Sequence, residues 1–242
     1  MNDVLPVLAV DIERRVFNAA DGTVLEAVRD LHFSLPPNSF TCIVGPSGCG
    51  KTTTLRLILG LDRDFDGQVK RRDDATVAAV FQEPRLLPWR TVEQNVRLAL
   101  PPFRMACDLD ALFVALGLDG HKGFFPAELS LGLARRVALA RAFALEPGLL
   151  LLDEPFVSLD EATAERLRNL LLELWRARPT TALMVTHNAR EAAMLADRII
   201  VFSARPARLI DSIVLDTARE HRTESDIQRV VARLRPVVDE TD

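Results

Sequence analysis

Nine residues, Gly45-Pro-Ser-Gly-Cys-Gly-Lys-Thr-Thr53, have the composition of a phosphate cradle. Gly45, Gly48 and Gly50 let the backbone curl so that successive N–H groups face one concavity. Lys51 carries a cation long enough to reach β- and γ-phosphates, and the Thr52 hydroxyl is a hard oxygen donor suited to Mg²⁺. Pro46, Ser47, Cys49 and Thr53 complete the loop. Far downstream, Leu149-Leu-Leu-Leu152 runs into Asp153 and Glu154. Four apolar residues followed by two carboxylates describe a buried parallel strand whose C-terminal end opens on a ligand crevice. Gln82 follows a strand-like segment and precedes a loop bounded by two prolines, and His187 terminates another apolar run.

These groups need rigid elements behind them. The apolar, β-favouring residues 39–44 feed the glycine loop and residues 55–59 continue it as a helix, whose positive N-terminal end adds to the same anion site. Residues 5–12 alternate weakly and are expected to form an edge strand, followed by Phe17 and an Asp21-Gly22 turn. Residues 31–35 alternate with a clean period of two, the pattern of an antiparallel strand with one wet face, and His32 falls on its solvated side. Further strands are expected at 68–72 and 76–81. Thr91 with Gln94 three residues on is a capping-box pattern that opens a helix to about Leu100, and a second helix covers about 109–116. Ser130 is expected to cap a helix with Val137, Ala138 and Ala142 on its apolar face and Arg135, Arg136 and Arg141 elsewhere. Leu167, Leu170, Leu171, Leu174 and Trp175 mark the next helix. Strand 182–186, a helix at 189–196, strands 199–202 and 209–215 and a terminal helix at 223–234 follow.

Composition narrows the class. The chain has 242 residues, 48% of them hydrophobic, which suffices for one domain, with or without a subdomain, and a sizeable core. A formal net charge of −4 argues against a nucleic-acid partner held on a basic face. Three cysteines, Cys42, Cys49 and Cys107, lack metal-ligand spacing and point to a reducing compartment. Cys49 reads as a small space-filler within the loop. Asp3, Asp11 and Glu13 interrupt the opening residues, so no signal peptide is expected, and no apolar run reaches bilayer-spanning length.

The order of glycine loop, Gln82, Leu129-Ser-Leu-Gly-Leu133, Asp153-Glu154-Pro155, Ser158-Leu-Asp160 and His187 resembles the ATP-binding subunits of ABC transporters over nearly the whole chain. Within that family, Phe81-Gln-Glu-Pro-Arg-Leu-Leu-Pro-Trp-Arg90 and Ser203-Ala-Arg-Pro-Ala-Arg208 are similar to the nitrate/sulfonate/taurine importers. The resemblance implies an α/β P-loop NTPase fold of ABC ATPase type, a mixed β core with an antiparallel β layer and an inserted α-helical subdomain. The corresponding division is 1–85 and 146–215 as nucleotide-binding core, 86–145 as helical subdomain and 216–242 as C-terminal tail.

It also implies roles. Asp153 would hold Mg²⁺ opposite Thr52, with Gln82 reaching the ion or the attacking water. Glu154 would orient and deprotonate that water, and His187 would contact the γ-phosphate. Phe17 would stack on adenine in place of the family's usual tyrosine, a role that needs no hydroxyl. Asp160 belongs to a nucleotide-facing motif. Ser130 and Gly132 would meet the γ-phosphate of a second ATPase subunit across a dimer, a homodimer being the expectation. Here Leu131 and Leu133 replace the family's Gly and Gln, so Leu131 must avoid positive φ and crowding. The implied partners are that second subunit, transmembrane permease subunits received near Leu86, Leu87 and Trp89, and an external substrate-binding protein. The implied location is peripheral, on the cytoplasmic face of the membrane. The altered signature keeps a nucleotide-gated, low-turnover subunit paired with a different ATPase open as an alternative, alongside a soluble, non-transport ABC ATPase.

Overall fold

The computed structural model describes residues 5–18 and 22–238. The opening residues 1–4, including Asp3, and the Asp21 half of the expected turn lie outside them. In chain order the first elements are β1 (Leu8–Asn18), β2 (Val24–Leu35), β3 (Phe40–Val44), α1 (Lys51–Leu59), β4 (Asp66–Arg71) and β5 (Val77–Val80). Then come α2 (Val92–Arg97), α3 (Asp110–Ala115), α4 (Leu131–Ala144), β6 (Leu149–Asp153) and α5 (Glu161–Ala177). The chain continues through β7 (Thr181–Thr186), α6 (Ala189–Leu195), β8 (Arg198–Phe202), β9 (Leu209–Val214) and α7 (Glu224–Val238). These elements fold as two compact units, one of Met1–Ala75 with Thr181–Asp242 and one of Thr76–Thr180.

The first unit contains an antiparallel sheet of order β2-β1-β4. β1 is therefore its middle strand and not the edge expected from its weak alternation. The polar β4, exposed along nearly its whole length, pairs with β1 from Leu8↔Arg71 to Arg14↔Asp66 and takes the edge position. A strand this polar satisfies the neighbour's backbone without adding apolar signal to it. β2 behaves as read: Leu31, Phe33 and Leu35 are buried while His32 and Ser34 are exposed. His32 Nδ1 sits 2.6 Å from Asp11 Oδ1 on that wet side.

The same unit holds a mixed set of strands, β7-β3-β8 in parallel with β9 antiparallel to β8. Every residue of β3 and β7 is buried. This is why 40–44 and 181–186 read as continuous apolar runs: a strand covered on both faces cannot alternate. Cys42 lies inside β3 and Cys49 in the loop beyond it, both buried, and all three thiols are free.

In the second unit β5 and β6 pair in parallel. α4 packs against α2, α3, α5 and β5. The expected amphipathic pattern for α4 is thereby corrected, since the helix is covered on several sides and Arg135 is buried with its neighbours. Its guanidinium stays within that packing and donates to the Val157 carbonyl at 3.1 Å. The Thr91 capping box forms as expected, although its helix ends at Arg97. Among the described residues no helix is long and apolar enough to cross a membrane.

Candidate nucleotide-binding and hydrolysis site

The register of the first unit lines up its chemistry. Val44 pairs with Thr186 on one side and with Val201 on the other. The next residues, Gly45 and His187, therefore leave adjacent parallel strands at the same end. The loop that follows β3 runs directly into α1 at Lys51, so the helix's first N–H groups and its positive end belong to the loop. Lys51 is buried, and its Nζ donates to the carbonyls of Gly45 at 2.8 Å and Pro46 at 2.7 Å. A buried ammonium requires such partners. Thr52 is exposed at the start of the helix. Cys49 is buried, and burial pushes its thiol pKa up against the opposing charges of Lys51 and Arg205. It stays a protonated space-filler.

His187 is exposed, and the turn carrying it is fixed by its neighbours. Thr186 Oγ1 donates to buried Glu191 Oε2 at 2.7 Å and accepts from Asn188 N–H at 3.0 Å. Asn188 caps α6, its Oδ1 accepting from the N–H groups of Arg190 and Glu191. The imidazole is thus presented from a turn held by one threonine and one asparagine.

In the second unit Val80 pairs with Leu152. Gln82 and the Asp153-Glu154 pair accordingly leave adjacent strands at their C-terminal ends, the edge at which open parallel sheets bind ligands. Asp153 is buried, Glu154 half-buried and Gln82 exposed. Glu154 has φ 42 and Ser158 φ 62, a left-handed backbone that bulky residues rarely adopt. Asp160 caps α5: its carboxylate accepts from Thr163 N–H at 3.0 Å, and the hydrogen bonding at Thr163 holds its pKa below the usual carboxylate value.

Ser130 caps α4 as expected, accepting from Leu133 N–H at 3.3 Å, which leaves its own O–H to be donated. Leu131 is exposed at the first helical position and is not among the residues with positive φ. A Cβ added at Gly132 would lie 2.9 Å from Thr163 Cγ2, so any larger residue there must displace that methyl where α4 packs on α5.

Asn95, which sequence reasoning passes over, and Arg141, which it sets on the polar side of α4, hold the loop after Gln82. Asn95, fully buried on α2, accepts from Leu87 N–H at 2.7 Å and donates to the carbonyls of Leu87, Arg90 and Thr91. Arg141 on α4 donates to the carbonyls of Pro84 at 2.7 Å and Arg85 at 2.9 Å. Beside this clasp a cavity of about 360 Å³ is lined by Phe81, Arg85, Ala99, Arg141 and Leu145, among others, while Trp89 stands 69% exposed. The capping box at Thr91 is the one local hint of this organisation.

Phe17 lies near the end of β1 with Arg15 Cζ 4.2 Å from its ring centroid. Arg15 is itself buried and paired with Asp62 at 2.9 Å and Asp64 at 2.6 Å. One face of the ring is therefore backed by a fixed cation, and the residue keeps 36% exposure.

The first unit, with its glycine loop between β3 and α1 and a histidine at the end of β7, and the second, with a carboxylate pair at the end of β6, each carry features of an α/β phosphate-loop ATPase. Residues 28–157 match the family model described as ABC transporter. The chain is 36% identical to the aliphatic sulfonates import ATP-binding protein SsuB of Bacillus subtilis, over 97% of this chain and 95% of that one. It is 41% identical to SsuB 2 of Pseudomonas syringae pv. tomato, over 88% of this chain and 90% of that one. Among solved structures, a dimeric ATP-binding cassette in a post-hydrolysis state with ADP and Pi superposes with a TM-score of 0.73 at 26% identity, covering 87% of this chain and all of that one. The chain belongs to the ABC transporter family, and ATP binding with hydrolysis coupled to transport goes with that membership.

Proposed function

We propose that the chain is the ATP-hydrolysing subunit of an ABC importer whose cargo is a small anion of the nitrate, sulfonate or taurine kind, with aliphatic sulfonates foremost. The observation that carries the catalytic part is the strand-end register, which sets His187 beside Gly45 and Gln82 beside Glu154. The cargo rests on relatives named for aliphatic sulfonate import that match most of the chain.

In this reading the amides of residues 45–53 cradle the inner phosphates, α and β, and the Lys51 ammonium reaches the β- and γ-phosphates. Phe17 offers its open face to adenine, and Asp160 lies in the segment that faces nucleotide. The Glu154 carboxylate orients a water and takes its proton as the oxygen attacks the γ-phosphorus and ADP leaves. His187 donates to the γ-phosphate oxygens. Thr52, Gln82 and Asp153, oxygen donors with one buried carboxylate among them, are the residues that would hold Mg²⁺, an ion usually held by one or two carboxylates plus substrate phosphates. Bound there, Mg²⁺ would neutralise charge on the phosphoryl oxygens.

A second copy would bring Ser130 and Gly132 to each γ-phosphate. A permease would seat a cytoplasmic helix by Leu86, Leu87 and Trp89, with 86–145 as the helical subdomain around it, 1–85 and 146–215 as nucleotide core and 216–242 as tail. The subunit would then sit peripherally on the cytoplasmic face, with an external binding protein delivering cargo. The test is reconstitution of the chain with its permease and binding protein in liposomes. ATP turnover should rise when the binding protein carries an alkanesulfonate and should vanish in Glu154→Gln. Equal rates in the variant would refute the catalytic assignment, and indifference to sulfonates, taurine and nitrate would refute the cargo.

A further inference from the structure

The hairpin loop between β8 and β9, Ser203-Ala-Arg-Pro-Ala-Arg208, has no part in the chemistry above. Together with Phe202, which precedes it, the loop is nevertheless built against all three glycines of the phosphate loop. A Cβ added at Gly45 would lie 3.0 Å from Phe202 Cβ, one at Gly48 3.4 Å from Arg205 Nη2, and one at Gly50 3.0 Å from Ala207 Cβ. The hairpin is itself rigid. Ser203 Oγ donates to Pro206 O and accepts from Arg208 N–H, Ser203 N–H donates to Arg208 O, and fully buried Ala207 exchanges backbone bonds with Ala27 and Arg29 of β2.

From this base Arg205 reaches across the loop. Its Nε and Nη2 both donate to the Gly48 carbonyl, at 3.0 and 2.6 Å. The N–H on the other side of the same peptide, that of Cys49, donates to Pro46 O at 3.3 Å. With Lys51 on the carbonyls of Gly45 and Pro46, the loop's oxygens at 45, 46 and 48 are all engaged by hydrogen-bond donors. A loop whose amides must face an anion needs its carbonyls held elsewhere, and Gly48, at φ +71, is a position where the backbone has most freedom to turn the wrong way.

We infer that Arg205 is a positioning residue for phosphate binding: its two-pronged grip on the Gly48 carbonyl, from the rigid 203–208 hairpin, holds the phosphate loop in its nucleotide-receiving shape. This rests on the reading of 45–53 as the phosphate site. It does not place Arg205 in contact with nucleotide. Because the loop's amides cradle the inner phosphates, the grip serves ATP and ADP alike.

The test is calorimetric titration of the purified full-length chain, wild type, Arg205→Ala, Arg205→Lys and Lys51→Ala, with MgATP and MgADP, beside the melting midpoint of each without nucleotide. Arg205 is exposed, so the Ala variant should fold with its midpoint nearly unchanged. Loss of a charge-assisted pair should weaken ATP and ADP by the same factor, about three- to tenfold. Lysine, which keeps one donor to the carbonyl but not the fork, should recover part of that loss. Unchanged affinities in Arg205→Ala would overturn the inference, and so would a loss confined to ATP, which would mean direct γ-phosphate contact. If Lys51→Ala also leaves both affinities intact, the phosphate-loop reading itself has failed, and this one with it.

Discussion

Glu154 is the residue at which the proposed chemistry and the backbone conflict, and the conflict has a measurable size. Its φ of 42 places a long side chain in the left-handed region, which costs an L-residue about 1–2 kcal/mol. Glycine adopts that region freely and loses about 0.5–1 kcal/mol to the larger entropy of its unfolded state. The net backbone gain from Glu154→Gly is then about 0.75 kcal/mol at the centre of those ranges. For a chain of this length that is a rise of roughly 1–3 °C in melting midpoint. Glu154→Gln is the matched control, because it removes the carboxylate charge while keeping the shape and the strained φ. Scanning calorimetry of nucleotide-free protein should therefore rank Gly above Gln. ATP turnover should fall in both by at least about a hundredfold, the usual worth of a general base. A Gly variant no more stable than the Gln variant would refute the stored strain, and a Gln variant turning over at the wild-type rate would refute the base.

Gly132→Ala should cost about 1–3 kcal/mol, because its Cβ would lie 2.9 Å from Thr163 Cγ2; adding Thr163→Ser, which removes that methyl, should restore most of the melting midpoint. Asn95→Ala should cost about 2–3 kcal/mol by chemical denaturation, since it removes the side-chain partner of the Leu87 N–H and the Arg90 carbonyl, while the Leu87 and Thr91 carbonyls keep backbone donors. Burial, reinforced by the Glu191 charge, raises the Cys42 thiol well above its ordinary value. A raised folded-state pKa gives stability that is present below the unfolded value and lost as pH climbs past it, so melting midpoints should fall above about pH 8.5 and the slope should flatten in Cys42→Val.

The residues that announce themselves in the sequence are those whose chemistry is local. Three glycines, a lysine and a threonine at fixed spacing need only one turn of chain to become a phosphate cradle, and four leucines before two carboxylates carry their own burial. β1 reads as an edge because the strand that covers it, β4, is polar and gives no sign of pairing. α4 reads as a one-sided helix because arginines normally mark solvent, whereas Arg135 is buried and Arg141 is turned onto backbone carbonyls. Such bonds are invisible in advance, since any carbonyl will accept them. Arg205 shows this most plainly, meeting Gly48 across a separation of 157 residues. The 203–208 segment stands out as a family resemblance, with nothing local to say what it touches.

The grip of Lys51 on its own loop makes one side chain serve two ends. Its ammonium ties the carbonyls of Gly45 and Pro46, at the start of the loop, to the first residue of α1, at its finish. Replacing the lysine therefore removes an internal brace together with the cation that the proposed function gives to phosphate, so a Lys51 variant would loosen the loop's shape as well as its charge.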